Sequence, residues 1–139
     1  MGGRGANFRI IERLPSYEKA VILHRKIKNY ILNPSKDPGK AKYFRSLGYN
    51  MNNWTRLKLN NWTRLKSDIL GRLRNHNAID FGVDKYGNVS YQVSMKLGIT
   101  KKSPTITAWR IDKGTDYPRF IIAYVDKEAI KNEKKNKDY

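Results

Sequence analysis

Residues 89–97 read Val-Ser-Tyr-Gln-Val-Ser-Met-Lys-Leu, and this stretch decides the fold because apolar and polar side chains alternate along its whole length. Such alternation is typical of a half-buried antiparallel strand, since successive side chains of a strand point to opposite faces of a sheet. The preceding Tyr86-Gly87-Asn88 is a hairpin signal, so residues 78–86 are predicted to form the neighbouring strand. Residues 105–111 and 118–125 predict a third and a fourth strand.

The residues before these strands follow a helical spacing instead. Apolar side chains recur three and four positions apart within residues 24–32 and 40–47, and Pro34 and Gly48 end these two predicted helices. Residues 52–58 and 60–66 both read Asn-Asn-Trp-Thr-Arg-Leu-Lys, a duplication too short for a solenoid repeat. One amphipathic helix of about 20–25 residues accommodates both copies and ends near residues 75–77.

These patterns together predict an α+β fold, with N-terminal helices packed on one face of a roughly four-stranded antiparallel sheet. Residues 14–126 form a single domain in this interpretation. Residues 1–13 are a linker or an expression remnant, and residues 127–139 are a basic tail, either a frayed helix or disordered.

The composition indicates the class of partner. The 139 residues include 29 Lys+Arg and 12 Asp+Glu, for a net charge of +17. Residues 1–77 alone hold 17 basic and 4 acidic side chains, so most of this excess precedes the strands. A basic surface of this size favours a polyanionic partner, namely RNA, DNA, an anionic membrane or an acidic protein.

Several classes of protein are excluded by the same composition. Without cysteine there is no disulfide framework, thiol nucleophile or cysteine-ligated metal site. No apolar run approaches the roughly 18 residues of a membrane span, and the first ten residues lack the apolar stretch of a signal peptide. His24 and His76 are far apart, while Asp80 and Asp84 would lie about 13 Å apart on one strand face. We therefore expect neither a metal nor another cofactor.

Metal-free cleavage of RNA is a reaction for which the available side chains suffice. The 2′-hydroxyl of RNA is the nucleophile, and the protein supplies a base, an acid and cations around the phosphorane. The catalytic candidates are His24, Lys42, Thr107, Arg119 and Tyr124. Each also fits an ordinary role as a helix cap, a solvated lysine, a strand residue, a surface charge or a core tyrosine.

A second group of residues is suited to hold RNA. It comprises Lys26, Lys40, Arg45, Lys101, Lys102 and Trp109. The Trp109 ring could stack on a base, although a strand tryptophan packs in the core more often.

The segment Leu14-Pro15-Ser16-Tyr17-Glu18-Lys19-Ala20-Val21-Ile22 resembles the L-P-x-Y-x-x-A-V-I opening of an uncharacterised domain. That domain occurs at the C-termini of bacterial polymorphic toxins and phage minor head proteins. Residues 32–34, 39–44, 47–49, 91–95, 107–112 and 119–124 continue its pattern, so the likeness covers about residues 14–125. The domain is itself similar to the Barnase–EndoU–colicin–RelE group of metal-independent ribonucleases.

The resemblance implies helices followed by about four antiparallel strands, with catalytic residues on both. Lys42, Thr107, Arg119 and Tyr124 occupy family positions, whereas the two histidines match none. Family members often carry a hydroxyl residue shortly before the final Ala-Tyr, where this chain has isoleucines at 121 and 122. Weak or absent activity is therefore an open alternative.

Three functions remain open at this point. The first is a toxin domain, delivered by a larger secreted protein into the cytoplasm of a bacterial cell, that cleaves RNA. Its RNA target could be tRNA, and an acidic immunity protein would neutralise it. The second is a non-catalytic nucleic-acid-binding or virion-associated module. The third is a basic domain that binds an acidic protein.

Overall fold

A five-stranded antiparallel sheet in the order β1-β2-β3-β4-β5 forms the centre of the chain. The computed structural model describes residues 8–27, 35–49 and 61–137. The strands are β1 Arg9–Ile11, β2 Ala78–Val83, β3 Val89–Leu97, β4 Ser103–Ile111 and β5 Arg119–Val125. The helices are α1 His24–Lys26, α2 Pro38–Ser46, α3 Asn61–Arg72 and α4 Lys127–Lys137, with 3-10 turns at Tyr17–Lys19 and Leu73–Asn75.

The prediction of N-terminal helices on one face of a four-stranded sheet is wrong. The described chain begins with a strand, the sheet has five strands, and a helix follows the last of them. Strand β1 lies in the segment interpreted as a linker, where it pairs with β2 through Ile10 and Ile79. Helix α4 lies in the segment interpreted as a tail, where the Asp126 carboxylate accepts a hydrogen bond from the Ala129 N–H at 3.1 Å and caps the helix.

Strand β3 has two different faces, as its alternation predicts. Tyr91, Val93, Met95 and Leu97 are buried on what we call the core face. Leu65, Ile69 and Leu73 at the end of the long predicted helix are fully buried with them in one cluster. The first copy of the duplication, residues 52–58, lies outside the described residues.

The opposite side of the sheet, which we call the open face, consists of three rows across β3, β4 and β5. The register places Ser94, Ile106 and Tyr124 in the first row, Gln92, Ala108 and Ile122 in the second, and Ser90, Arg110 and Arg119 in the third. The residues of these rows are partly or fully exposed. Helix α4 meets the first-row end of this face, where Lys96 pairs with Glu133 at 2.9 Å.

Helix α2 begins and ends at residues that its sequence selects. The Asp37 carboxylate accepts a hydrogen bond from the Lys40 N–H at 3.0 Å, and Pro38 fills the first turn without a lost hydrogen bond. Gly48 ends the helix with a φ of 103°, a left-handed conformation that glycine adopts without strain. A side chain at this position would also collide with Ile99, because an added Cβ would lie 3.0 Å from the Ile99 Cβ.

Tyr49 joins three parts of the fold behind α2. Its ring is fully buried, its hydroxyl donates to Asp68 Oδ2 of α3 at 2.6 Å, and the same oxygen accepts from the Gly98 N–H at 3.0 Å. Burial and the neighbouring carboxylate raise the pKa of this phenol above its ordinary value. Tyr49 is therefore a structural hydroxyl that stays protonated.

Replacing Tyr49 by Phe should lower the free energy of unfolding by about 2 kcal/mol, because a charge-assisted hydrogen bond is lost and a buried N–H is left unpaired. Urea denaturation followed by circular dichroism measures this change. Tyr86→Phe is the matched control, since Tyr86 is 67% exposed, and it should change stability by less than about 0.5 kcal/mol. Equal effects of the two substitutions would contradict the structural role of the Tyr49 hydroxyl.

Candidate nucleic-acid interface

Helix α2 presents three different faces, and this division organises the site. Ala41 and Phe44 point into the core, Lys40 and Tyr43 line a cavity, and Lys42 and Arg45 are exposed to solvent. Tyr43 also fixes the helix to the sheet, because its hydroxyl donates to the Pro104 carbonyl at 3.1 Å and lies 2.8 Å from Thr105 Oγ1. The exposed cations are thus held on an anchored helix.

The loop between β3 and β4 brings two more cations to this helix. The Ile99 and Thr100 N–H groups donate to the Leu47 carbonyl at 2.7 and 3.1 Å, so the loop is attached to the C-terminal end of α2. Gly98 makes the loop possible, because an added Cβ would lie 1.7 Å from the Lys101 carbonyl oxygen. Lys101 and Lys102 follow directly and are exposed.

We call Lys42, Arg45, Lys101 and Lys102 the basic surface. Among the residues that the structure describes, none of these four cations forms an ion pair. Many other cations are paired, as Lys19 is with Asp116 and Arg64 with Asp68. The basic surface is therefore one place where clustered positive charge is left for a partner outside the chain.

A cavity of about 530 Å³ opens beside the N-terminal end of α2. Its walls come from α2, the end of β5 and the first turn of α4. The lining residues are Asp37, Gly39, Lys40, Tyr43, Ile106, Tyr124, Val125, Asp126, Lys127 and Glu128. The cavity thus combines two phenols, two ammonium groups and three carboxylates on a partly apolar floor.

Two of the three carboxylates already form hydrogen bonds that stabilise the fold. Asp37 accepts from the Lys40 N–H and lies 3.7 Å from Lys40 Nζ. Asp126 accepts from Ser94 Oγ at 2.6 Å and from the Ala129 N–H at 3.1 Å. Both cap a helix N-terminus, so their negative charge is offset by backbone donors and the helix dipoles.

Lys40 is the most enclosed ammonium group of the cavity. Its side chain is 14% exposed. Burial lowers the pKa of this amine below its ordinary value, and the attraction of Asp37 opposes the shift. A lysine with a lowered pKa loses its proton more readily than a solvated one, so it can act as a base.

Tyr124 connects the cavity with the open face of the sheet. Its hydroxyl accepts a hydrogen bond from Gln92 Nε2 at 3.0 Å. This bond crosses β4 above Ala108, whose methyl group is small enough to leave the path clear. The amide satisfies the phenol oxygen as an acceptor, so the Tyr124 O–H proton remains available to a ligand.

Arg119, by contrast, lies at the other end of β5. Its guanidinium donates two hydrogen bonds to the Asp112 carboxylate, at 2.9 and 3.2 Å. The arginine holds the pKa of Asp112 below its usual range, and the carboxylate raises the pKa of Arg119. In this position Arg119 closes the turn between β4 and β5 and stands apart from the cavity.

Thr107 and Trp109 lie in the core rather than at the site. Thr107 is fully buried on the core face, where its hydroxyl donates to the Val93 carbonyl and accepts from Trp109 Nε1, both at 2.8 Å. The Trp109 ring is 1% exposed and packs edge-on against Phe120. Neither residue offers a group to a base or phosphate at the surface. Both are therefore ordinary residues of the core.

The structure therefore gathers Lys40, Lys42, Arg45, Lys101, Lys102 and Tyr124 around α2 and leaves out Thr107, Trp109 and Arg119. Lys26 is half-buried in α1, which packs against α3. Sequence reasoning missed Tyr43, Gln92 and Asp126. The sequence does indicate that Gln92 is exposed, because it is one of the polar residues that alternate with apolar ones along β3. Only the strand register shows that it reaches Tyr124.

Residues 13–127 match the model of a family described as a domain of unknown function, DUF6883. No curated protein and no solved structure matches the chain. Within the described ranges, no helix is long and apolar enough to cross a membrane. In the same part of the chain, no three His, Cys, Asp or Glu side chains form a group that could hold a metal ion.

Replacing Thr107 by Val should lower the free energy of unfolding by about 1–3 kcal/mol, because the Val93 carbonyl and Trp109 Nε1 lose a buried partner. A urea melt monitored by tryptophan fluorescence measures the loss. Thr100→Val, in an exposed loop, should be close to neutral. A fully stable Thr107→Val protein would show that this hydroxyl is not needed by the core.

Proposed function

We propose that this chain, which belongs to the DUF6883 family, binds RNA on its basic surface and cleaves it in the adjoining cavity. One observation carries the proposal. Four cations without an ion-pair partner among the described residues lie on α2 and on the loop attached to it, and a cavity beside the same helix is lined by a lysine that is 14% exposed and by a hydrogen-bonded tyrosine. No family description assigns this activity.

The basic surface is suited to the phosphates of a nucleic acid. Lysine and arginine that neutralise phosphates release condensed counterions, which makes such binding strong at low salt. The cations stand on two anchored segments, α2 and the loop at residues 98–102, so little ordering is needed on binding. A fixed array of this kind also steers an anionic partner toward the cavity.

The cavity offers the two proton-transfer groups that RNA cleavage needs. In the proposed reaction, the neutral Lys40 amine takes the proton of the 2′-hydroxyl, whose oxygen attacks the neighbouring phosphorus. The bond from phosphorus to the 5′-oxygen breaks, and the Tyr124 hydroxyl gives that oxygen its proton. The products are a 2′,3′-cyclic phosphate and a free 5′-hydroxyl, and the proton then returns from Lys40 to Tyr124 through solvent. Lys42, which is exposed on the same helix as Lys40, stabilises the added negative charge.

The biological setting is part of the same proposal. A small domain that cleaves RNA, with tRNA as one candidate, acts as a toxin when a larger secreted protein delivers it into a bacterial cytoplasm. The producing cell then needs a protective partner, and an acidic immunity protein that covers Lys42, Arg45 and the Lys101–Lys102 pair would block both binding and cleavage.

A second candidate function is non-catalytic binding of nucleic acid. Two observations favour it: the Thr107 hydroxyl is hydrogen-bonded within the core, and the Arg119 guanidinium is hydrogen-bonded to Asp112. A binding module needs the basic surface and no proton transfer. Both functions require the basic surface, and only RNA cleavage requires the Lys40 amine and the Tyr124 hydroxyl.

Replacing Lys42, Arg45, Lys101 and Lys102 together by Ala should weaken binding of single-stranded RNA at least about tenfold at roughly 100 mM salt. The slope of log affinity against log salt should also become shallower, because fewer phosphates are contacted. Fluorescence anisotropy with a labelled oligonucleotide measures both quantities.

The matched control removes four other exposed lysines, Lys113, Lys131, Lys134 and Lys135, and so makes the same change in net charge. RNA affinity should fall much less in this variant. Equal losses in the two variants would mean that net charge alone attracts RNA and that the basic surface has no special role.

Cleavage of total RNA by the unmodified protein should persist in EDTA. The cleavage rate should fall about 10²–10⁴-fold in Tyr124→Phe, which keeps the ring and removes only the hydroxyl. Lys40→Arg should fall comparably, since a guanidinium keeps the charge and cannot serve as the base. The rate should rise with pH up to the pKa of Lys40, which burial places below the ordinary lysine value. Gel analysis of the fragments and of their 2′,3′-cyclic ends gives the readout.

Tyr117→Phe is the control for the tyrosine variant, because Tyr117 is exposed and lies beyond the far end of β5. It should cleave at the rate of the unmodified protein. RNA that is bound but left intact at high protein concentration would establish the non-catalytic alternative. Cleavage abolished by EDTA would overturn the proposed mechanism.

A further inference from the structure

The third row of the open face holds two arginines side by side. Arg110 of β4 and Arg119 of β5 are direct partners in the antiparallel register, and Ser90 of β3 lies on the other side of Arg110. Directly opposed residues have Cβ atoms about 5 Å apart, so like charges in this arrangement repel each other. Such a pair needs negative charge close by.

Among the residues that the structure describes, a carboxylate pairs with only one of the two arginines. Arg119 holds both oxygens of Asp112. Arg110 has a half-buried side chain, and its Nε atom is buried without a hydrogen-bond partner among the residues that the structure describes. Within the same residues, the Arg110 guanidinium has no ion pair either.

The carboxylates that act on Arg110 through space are already in use. These are Asp84 and Asp112. Asp84 accepts hydrogen bonds from the Tyr86 and Asn88 N–H groups at 2.8 and 3.0 Å, which shape the turn between β2 and β3. Asp112 is taken by Arg119. A buried, unpaired donor on a permanent cation is uncommon in folded proteins. Arg110 as a whole is partly exposed, and its guanidinium keeps a positive charge that an anion from outside the chain would offset.

We propose that Arg110 is a second phosphate-binding subsite, which holds a phosphate of the RNA strand away from the one bound at Tyr124. This inference rests on the proposed function for the identity of the strand. Arg110 and Ile106, the cross-strand partner of Tyr124, are four residues apart on β4, which corresponds to about 13 Å. A short single-stranded segment spans this distance.

The surface between the two positions suits such a segment. The second row consists of Gln92, Ala108 and Ile122, which carry no charge and are all partly exposed. Helix α4 and its cap meet the face near the first row, where Lys96 pairs with Glu133 and Ser94 with Asp126. Arg110 therefore stands beyond a neutral floor, with its guanidinium able to take two oxygens of one phosphate.

A direct test follows the Nε–Hε signal of Arg110 by NMR during titration with inorganic phosphate, with the signal assigned from its loss in Arg110→Lys. We expect a saturable shift of the Arg110 signal and none of the signal of Arg74, an exposed arginine outside the sheet. Equal, non-saturating shifts of both signals would indicate weak surface binding only and overturn the subsite.

The second measurement compares a dinucleotide, whose one phosphate reaches only the cavity, with a single-stranded pentanucleotide. Arg110→Gln should weaken pentanucleotide binding about tenfold and leave dinucleotide binding unchanged, whereas Arg74→Gln should affect neither. Arg110→Lys keeps the charge and should lose part of the same affinity. It serves as a second variant in case Arg110→Gln misfolds, and circular dichroism checks the folding of both.

The outcomes separate this inference from the proposed function. If the unmodified protein binds pentanucleotide and Arg110→Gln binds it equally well, the subsite is wrong and RNA binding stands. If the Arg110 signal saturates with inorganic phosphate but no RNA binds, the subsite stands as a phosphate site and the proposed function is wrong.

Discussion

The Leu47 carbonyl accepts hydrogen bonds from two consecutive N–H groups, those of Ile99 and Thr100, and the candidate site depends on this contact. It attaches the C-terminal end of α2 to the loop between β3 and β4. Tyr43 attaches the middle of the same helix to the first residues of β4. Because one attachment runs to the loop of the β3–β4 hairpin and the other to β4, the helix is held to the hairpin at two points, and the cations of helix and loop are held near each other.

This attachment also explains why small residues occur where they do. Gly48 lets the chain leave α2 in a left-handed conformation, directly against Ile99. Gly98 lets the loop fold back over the Lys101 carbonyl. A larger residue at 48 would push α2 away from the loop, and a larger residue at 98 would distort the loop itself. The same backbone arrangement places the Gly98 N–H on the Tyr49 hydroxyl, so the loop is held from the core as well as from α2.

The strands that the sequence predicted best are those whose pattern is local. The alternation of residues 89–97 is enough to identify β3 and its two faces. Strand β1 has only three residues, Arg-Ile-Ile, and its pairing partner follows almost seventy positions later, so no local pattern could show it. Helix α4 contains few apolar residues, and its cap, Asp126, belongs to the end of a strand.

The site was predicted only in part for a related physical reason. Without a bulge between β4 and β5, Tyr124 and Thr107 would point to the same face of the sheet. A bulge between β4 and β5 shifts the register near Ala108, so Thr107 faces Ala123 on the core side while Tyr124 faces Ile106 on the open side. The sequence shows which side chains of one strand share a face of the sheet. It does not show which side chains of two neighbouring strands share a face, because that depends on the position of the bulge.

Charge pairing narrows the set of candidate cations more than the net charge does. The net charge of +17 indicates a polyanionic partner without locating it. Lys19, Arg64, Lys96 and Arg119 carry the same charge as the cations of the site, yet each has a carboxylate within 3.0 Å. Arg119 is the informative case, because a position that the family resemblance made catalytic proves to be the partner of Asp112.

Tyr124 lies between the cavity and the neutral second row of the open face. On one side its ring lines the cavity with Lys40, next to the helix that carries Lys42 and Arg45. On the other side its hydroxyl reaches Gln92, in the neutral row that leads to Arg110. In the proposed function, a strand of RNA laid across this tyrosine would meet cations at both ends and a proton donor between them. Binding energy at remote phosphates can position the reacting one, so both ends would contribute to the cleavage step.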